Sequence, residues 1–366
     1  MFLHTLSTTV PEAAFTQREC AELVQASRLR ERLGRRSMLT LLAILRGDSG
    51  VAKRHFAVQD IDRIFDMSAD ELNAAFRREA PALAKRALQR ALDEARVRPR
   101  DLDALLVCTC TGYLCPGVTS YVAEDLGLRP DAQLQDLVGL GCGAAIPMLR
   151  SADAILARHP DATIATVAVE ICSAAFYIDD DPGVLISACL FGDGAAAAVW
   201  RGAPPADRPA LRCHQFNTLH QPQHRDRIRF EQRNGRLRNL LDLGLPAFAA
   251  GAVSQLWHDD ASGARPATRI LSHGGGRDIL DALQGVLPGH DLTPARDVLR
   301  DFGNMSSPSV LFALDHALRA SHPADDEDWW LVSFGAGFSA HTCRLGTPTV
   351  PRRRLRQRPA SYLVAQ

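Results

Sequence analysis

No stretch of the 366-residue chain approaches the roughly 20 consecutive apolar residues that cross a bilayer, so no membrane-spanning helix is expected. Neither sign of charge is in excess. Forty-two Lys and Arg residues balance 42 Asp and Glu residues, which removes the broad basic field that wholesale nucleic-acid binding requires. The opening segment MFLHTLSTTVPEAAFTQREC lacks a basic start followed by a sustained apolar run, so no secretory leader is expected. Nine cysteines (Cys20, Cys108, Cys110, Cys115, Cys142, Cys172, Cys189, Cys213 and Cys343) form neither a CxxC pair nor a regular framework. An odd, scattered set reads as reduced thiols in a cytoplasm rather than as disulfides. Cys108, Cys110 and Cys115 do not have the spacing of a zinc site, and no metal is expected. No short-period repeat is present.

What is present is an ordinary hydrophobic fraction, 46%, in a chain long enough for one large or two fused domains. The first hundred residues read as mainly helical, with an amphipathic segment from Glu71 to Arg96 interrupted at Pro81 and suited to covering a sheet. From Leu102 the pattern alternates between short apolar, β-branched runs and segments of helical spacing. Strands are expected near Leu102–Cys108, Leu134–Val138, Ala162–Glu170 and Ala195–Trp200, with helices after Gly117 and after Cys142. Residues 201–224, rich in Pro, His and Arg, read as a connection. Beyond it come a strand at RILSH, helices at Asp278–Val286 and Pro308–Ala320, and a strand at WWLVSFGAG. This grammar implies an α/β architecture with largely buried strands.

Three residues stand at glycine-containing turns where strands give way to helices. Cys142 lies in VGLGCGAAIPMLR, ahead of an apolar helix whose unpaired N–H groups and positive end would favour a thiolate. His273 ends the run ILSH and is followed by three glycines, which admit a close approach of backbone or ligand. Asn304, in DFGNMSSPSVLF, precedes another apolar helix. Each alone has a plainer explanation: a core thiol, a loop histidine, a helix cap. Together they are a nucleophile, a base and an amide donor that can meet only in the folded chain.

The motifs CTGYLCPG, GCGAA, LFGDGAAAAV, SHGGGRDIL, GNMSSPSVLF and SFGAG, in that order between Val107 and Leu345, resemble the chalcone and stilbene synthase family, the type III polyketide synthases. The resemblance implies a thiolase-like fold of two pseudo-repeated halves in an α-β-α-β-α arrangement: residues 1–203 carrying the cysteine, 204–346 carrying His and Asn, and a basic tail at 347–366. It implies that Cys142 accepts an acyl group from CoA, that His273 and Asn304 stabilise the enolate formed when malonyl-CoA loses carbon dioxide, and that the carbanion condenses with the acyl-cysteine. An imidazolium at His273 would keep the thiolate ionised. The substrates implied are an acyl-CoA starter and malonyl-CoA, with no cofactor, in a cytoplasmic homodimer.

Further positions carry over from the same resemblance. Phe191 corresponds to a phenylalanine that gates the passage between the CoA tunnel and the reaction cavity. Cys110, Thr111 and Ser306 correspond to cavity-lining residues, and Cys115 to a position that reaches into the partner's cavity. The basic pair Lys53–Arg54 falls near the family's CoA-phosphate contacts, though a surface pair is the commoner setting. The chain departs from the family in reading HGGG for HPGG and SFGAG for GFGPG. In NGRLRNLLDLGLP it offers Arg238 or Asn239 where a second gating phenylalanine is usual. Two alternatives stand beside the main reading: an initiating ketoacyl synthase of fatty-acid biosynthesis, whose histidine usually sits in HQAN, and a silent thiolase-fold subunit that only binds acyl-CoA.

Overall fold

The computed structural model describes residues 1–58, 63–261, 267–324 and 327–348. The basic tail beyond residue 348 lies outside them. Thirteen strands are described: β1 (Phe2–Thr9), β2 (Ala14–Thr16), β3 (Lys53–His55), β4 (Ala104–Cys108), β5 (Gln133–Leu137), β6 (Thr163–Glu170), β7 (Gly194–Arg201), β8 (Leu211–His220), β9 (Ile228–Arg233), β10 (Arg236–Leu241), β11 (Ala267–Ser272), β12 (Asp328–Gly335) and β13 (Ser339–Gly346). The helices are α1 (Gln17–Ala26), α2 (Leu29–Arg32), α3 (Arg35–Arg46), α4 (Ala69–Ala95), α5 (Val118–Leu126), α6 (Ala145–Arg158), α7 (Pro182–Leu190), α8 (Leu245–Ala261), α9 (Arg277–Val286), α10 (Thr293–Phe302) and α11 (Ser309–Ala320).

Nine strands form one sheet in the order β11-β12-β13-β8-β1-β7-β6-β4-β5. The order carries an internal repeat. In β4-β6-β7-β1 the first pair is parallel and the next two antiparallel, and β11-β12-β13-β8 repeats that sequence of pairings. The antiparallel pair β1–β8 joins the two sets, and β5 extends the first as an edge.

Period-two burial sorts the strand side chains into layers. Leu105, Val107, Val167 and Val199 face α4 on one side, while Leu106, Ile164, Ala198 and Leu331 face α6 and α11 on the other. Ile270, Trp330 and Val332 pack against α8 and α9. The result is helix, sheet, helix pair, sheet, helix, with α6 and α11 enclosed between the two sets of strands.

Three expectations fail, each for a physical reason. The first hundred residues are not helical at their start: β1 lies at the centre of the sheet. Its inward face, Leu3, Thr5, Ser7 and Thr9, is largely hydroxylic, so no apolar period shows. The hydroxyls are bonded in place, with Thr5 Oγ1 donating to Ala91 O (2.9 Å) and Arg86 Nε donating to Thr9 Oγ1 (3.2 Å). Pro81 does not interrupt α4, which runs unbroken from a capping box at Ser68 and Glu71. Burying Ala80, Leu83, Ala84, Ala87 and Leu88 outweighs the roughly 3 kcal/mol that an internal proline costs a helix. Finally, the presumed connection contains β8, where Gln215 adopts φ 53° beside an irregularity in the register with β13. A bulge of that kind breaks the alternation by which a strand is recognised.

Candidate functional site

Cys142 sits in a single tight turn, Gly141–Gly143, between β5 and α6, with Gly139 and Gly141 at φ 90° and 56°. These left-handed angles bring the turn directly against the end of β12. A Cβ on Gly335 would fall 2.5 Å from both Gly143 N and Leu140 O, so the glycines of SFGAG and GCG are complementary surfaces. Ser333 Oγ donates to Gly143 O (3.0 Å) and closes the contact. Cys142 is only 4% exposed. Burial pushes its thiol up to about 12, against a lowering by a hydrogen bond from Ser306.

His273 follows β11 directly and is 1% exposed. Its backbone N–H donates to Val332 O (2.9 Å), and its ring meets Phe334 edge-on at 5.3 Å. Gly275 folds back so closely that a Cβ there would lie 3.4 Å from His273 Nε2. Nδ1 has no partner among the described residues. Burial lowers the imidazole to about 4. Burial pushes both groups toward their neutral forms, the opposite direction from the ion pair expected from the sequence.

Asn304 is placed by backbone pairing. Its N–H donates to Leu190 O (2.9 Å) and its carbonyl accepts from Gly192 N (3.0 Å), a short parallel bridge between Asn304 and Phe191. The side chain is fixed as well: Ser306 N donates to Asn304 Oδ1 (2.8 Å), and Nδ2 donates to Gly275 O (3.1 Å). Ser306 itself adopts φ 59°, an unusual conformation for a residue with a Cβ, and aims its hydroxyl at the thiol of Cys142. Its Oγ–H donates to Cys142 Sγ (3.2 Å), which leaves Oγ to accept from Cys110 Sγ at 3.1 Å. Ser306 thus links Cys142, Cys110 and Asn304.

Thr111 lines a small cavity together with Cys172, Tyr177, Phe191, Phe230 and Asn239. A larger cleft of about 630 Å³ runs between α3, α7 and α9 and reaches Leu190 and Gly275. Phe191 lines the small cavity, and its neighbour Leu190 lines the larger cleft. Cys115 is exposed on the surface of its own chain and Cys108 is buried, so the three clustered cysteines do not converge.

Two residues, Glu170 and Phe230, escaped the sequence reading of the site, and a third, Arg54, has a different setting from the one expected. Glu170, fully buried at the end of β6, accepts hydrogen bonds from Thr109 Oγ1 (3.1 Å), Cys110 N (2.9 Å), Thr111 N (3.1 Å), Thr111 Oγ1 (2.8 Å) and Ser307 Oγ (2.6 Å). A lone carboxylate in the apolar run ATIATVAVE was its visible signal. Arg54 is neither a surface residue nor a free phosphate ligand: it is 2% exposed and donates to Ala188 O (2.7 Å), Phe191 O (3.0 Å) and Gln17 Oε1 (3.1 Å). It holds the carbonyl end of α7, where a cation is favoured, and with it Phe191. Phe230 had no signal, because the β9–β10 hairpin was not foreseen.

The choice between Arg238 and Asn239 is settled by the pleat of β10. Successive side chains point to opposite faces, and Asn239 faces the cavity. Arg238 turns away to Asp179 (2.7 Å) and Glu231 (2.8 Å).

The profile of the FAE1/type III polyketide synthase-like family matches residues 9–212, and that of the chalcone and stilbene synthase C-terminal domain matches residues 268–347. A 1,3,6,8-tetrahydroxynaphthalene synthase of Streptomyces peucetius subsp. caesius is 30% identical over 358 residues, covering 91% of this chain and 89% of its own. A 3,5-dihydroxyphenylacetyl-CoA synthase of Streptomyces toyocaensis is 28% identical, covering 81% of this chain and 80% of its own. The crystal structure of the tetrahydroxynaphthalene synthase of Streptomyces coelicolor A3(2) superposes with a TM-score of 0.85 at 27% identity, over 96% of this chain and 100% of that one. With Cys142 and Asn304 joined through Ser306 and with family profiles matching in both halves, this chain belongs to the type III polyketide synthases of the chalcone and stilbene synthase family.

Proposed function

We propose that the chain transfers an acyl group from a CoA thioester to Cys142 and extends it with malonyl-CoA by decarboxylative condensation, working as a cytoplasmic homodimer without a cofactor. The observation that carries this reading is the double role of Ser306, which bonds the thiol of Cys142 through its side chain and the amide of Asn304 through its backbone. Nucleophile and oxyanion donor are thereby set in one frame beneath Phe191. Nine free cysteines agree with a reducing compartment. The exposed Cys115 is where a side chain offered to a partner subunit has to be.

The chemistry follows from the charge states. With burial pushing the thiol up to about 12 and the imidazole down to about 4, neither is charged at rest in this reading. Cys142 therefore gives its proton to His273 as Sγ bonds to the thioester carbonyl, and that proton leaves on the CoA thiol when the C–S bond to CoA breaks. Malonyl-CoA next takes the place of the departed CoA. Its C–C bond to the carboxylate breaks, carbon dioxide leaves, and the electron pair moves onto the thioester oxygen. Asn304 Nδ2 keeps one N–H free for that oxygen, and His273 in the tautomer protonated toward the substrate supplies another. The carbanion attacks the acyl carbon on Cys142, a C–C bond forms, and Sγ departs.

Incubation with malonyl-CoA tests this directly. Carbon dioxide release with an acyl-Cys142 adduct in the intact mass is expected, and Cys142→Ala should keep some decarboxylation while losing product. A wild type as inert as buffer would favour the silent subunit. A strict requirement for malonyl-carrier protein would favour the ketoacyl synthase.

A further inference from the structure

The sheet surface that backs the nucleophile turn is polar, and one histidine organises it. Strand side chains alternate between faces, so Ser333 and Gly335 of β12 share a face with their cross-strand partners His341 and Ser339 of β13. Thr218 of β8, paired with His341, extends the same row. Three members of the row meet the turn at different points. Ser333 Oγ donates to Gly143 O (3.0 Å). Gly335 lies so close that a Cβ there would fall 2.9 Å from Cys142 N, and a Cβ on Gly143 would fall 3.2 Å from Cδ2 of His341.

Donors and acceptors fix the state of that histidine. Ser339 Oγ donates its hydrogen to Ala336 O (2.9 Å), so toward Nε2 of His341 (3.0 Å) it can only accept. Nε2 therefore carries the proton, and Nδ1 accepts from Thr218 Oγ1 (3.0 Å). Burial lowers the imidazole to about 4, and His220 and Arg150 oppose its charge as well, so these are the bonds of a neutral ring. The bonded chain ends on the loop behind Cys142. Ala336 stands where the family usually has proline, so no ring fixes its φ and the loop needs another anchor. The hydroxyl of Ser339 supplies one at the Ala336 carbonyl. Ala336 in turn meets the nucleophile turn: a Cβ on Gly141, itself at φ 56°, would fall 3.1 Å from Ala336 N. None of these residues lines the cleft that reaches Gly275; His341 lines a separate cavity of about 390 Å³ with Leu140, Ile146, Arg150 and Phe216.

We propose that His341 is a positioning residue for the nucleophile: through Ser339 and Ala336, and by its own contact with Gly143, it holds the Cys142 turn so that Sγ stays in reach of the Ser306 hydroxyl (3.2 Å). The consequence for catalysis rests on the acyl-transfer reading above. His341 acts through the turn and not on the substrate.

The test compares His341→Leu, His341→Gln and Ser339→Ala by iodoacetamide alkylation of Cys142 across the pH range, by kcat and KM for loading of Cys142 from acetyl-CoA, and by urea unfolding. His341→Leu removes both ring bonds and should lower kcat by about 10 to 100-fold with KM unchanged, since a shift of about 1 Å at the reacting group is worth that much. Alkylation at pH 8 should slow by about three- to tenfold as the thiol loses the Ser306 bond that lowers it. His341→Gln keeps an N–H for Ser339 Oγ and should restore most of both rates. Ser339→Ala should behave like His341→Leu, and the double variant should be no slower than either, because both break one chain. If His341→Leu does not fold, the contrast between a slow Ser339→Ala and a fast His341→Gln decides. A lower urea midpoint with kcat and alkylation within about threefold of wild type in the variants that break the chain means a structural role alone and overturns the proposal. A His341→Gln as slow as Ser339→Ala overturns it too. Slowed alkylation in the variants, with no CoA thioester loading even the wild type, overturns the acyl-transfer reading and leaves the positioning of the thiol established.

Discussion

Replacing Asn304 by aspartate removes a hydrogen-bond donor that the resting structure holds in reserve. A backbone N–H can only donate, so the bond from Ser306 N to Asn304 Oδ1 (2.8 Å) fixes which end of the amide is oxygen. The nitrogen end then spends one of its two N–H groups on Gly275 O (3.1 Å) and retains the other. An aspartate preserves the first bond and abolishes both donors. The fold loses about 1–3 kcal/mol for the orphaned Gly275 carbonyl and more for a carboxylate that is 2% exposed with a single donor, so the urea melt reports how much of the loss is structural. The enolate oxygen loses a donor worth about 2.7–4 kcal/mol and faces a carboxylate instead, so malonyl-CoA decarboxylation should fall by about 100 to 1,000-fold or more. Carbon dioxide release is the assay, with iodoacetamide alkylation of Cys142 and a urea melt as controls. A fall of less than about tenfold, with alkylation and melting near wild type, would refute the assignment of Asn304 as an oxyanion donor.

The neutral resting pair has a pH signature. With the Cys142 thiol near 12, its alkylation rate should climb about tenfold per pH unit from 6 to 10, and a plateau below pH 7 would mean an ion pair instead. Ser306→Ala removes the hydrogen bond that lowers this thiol and should slow alkylation at pH 8 by about three- to tenfold. His273 bears on stability: the unfolded imidazole takes its proton near pH 6.5 and the folded one only near 4, so the unfolded chain binds more protons between those values. Stability should drop by about 2 kcal/mol from pH 7 to pH 5 on this account, and urea unfolding of His273→Gln should lack that share of the slope. Arg54→Met strands two carbonyls at the end of α7 and the side-chain oxygen of Gln17 in α1, and should cost about 2–4 kcal/mol in the same assay. Gly335→Ala would push a Cβ to 2.5 Å from Gly143 N; loading of Cys142 at the wild-type rate would disprove the packing of that turn.

What the sequence made legible was local. Cys142 and His273 stand in glycine turns that follow strands, whereas Asn304, expected at such a turn, follows the glycine that ends helix α10; the backbone freedom of those glycines is also what the close contacts at Gly335, Gly275 and Gly303 require. Strands with apolar faces, such as β6 and β12, were readable because burial on both sides demands such composition. Features that depend on partners distant in the chain were not. The hydroxylic face of β1 makes sense only with α4 above it, and Arg54 looks like half of a surface pair until the carbonyls of Ala188 and Phe191 are placed around it. Arg238 and Asn239 could not be told apart while their strand was unknown. Once the pleat is known, adjacent residues must have opposite roles.

Glu170 shows how far apart the requirements of fold and chemistry can be. Its charge pushes the Cys142 thiol upward, so a carboxylate beside the nucleophile works against thiolate formation. Yet its partners come from both sets of strands: Thr109, Cys110 and Thr111 follow β4, and Ser307 precedes α11. An anion needs several donors to survive burial, and those donors are the segments that must be brought together. Ser307 is fixed by Glu170, and its neighbour Ser306 is thereby held against Cys142. The carboxylate that disfavours the thiolate is thus also the anchor for the hydroxyl that favours it. Under the proposed mechanism, a thiol kept neutral until His273 accepts its proton is what that compromise should give, with ionisation confined to the moment when a thioester is present.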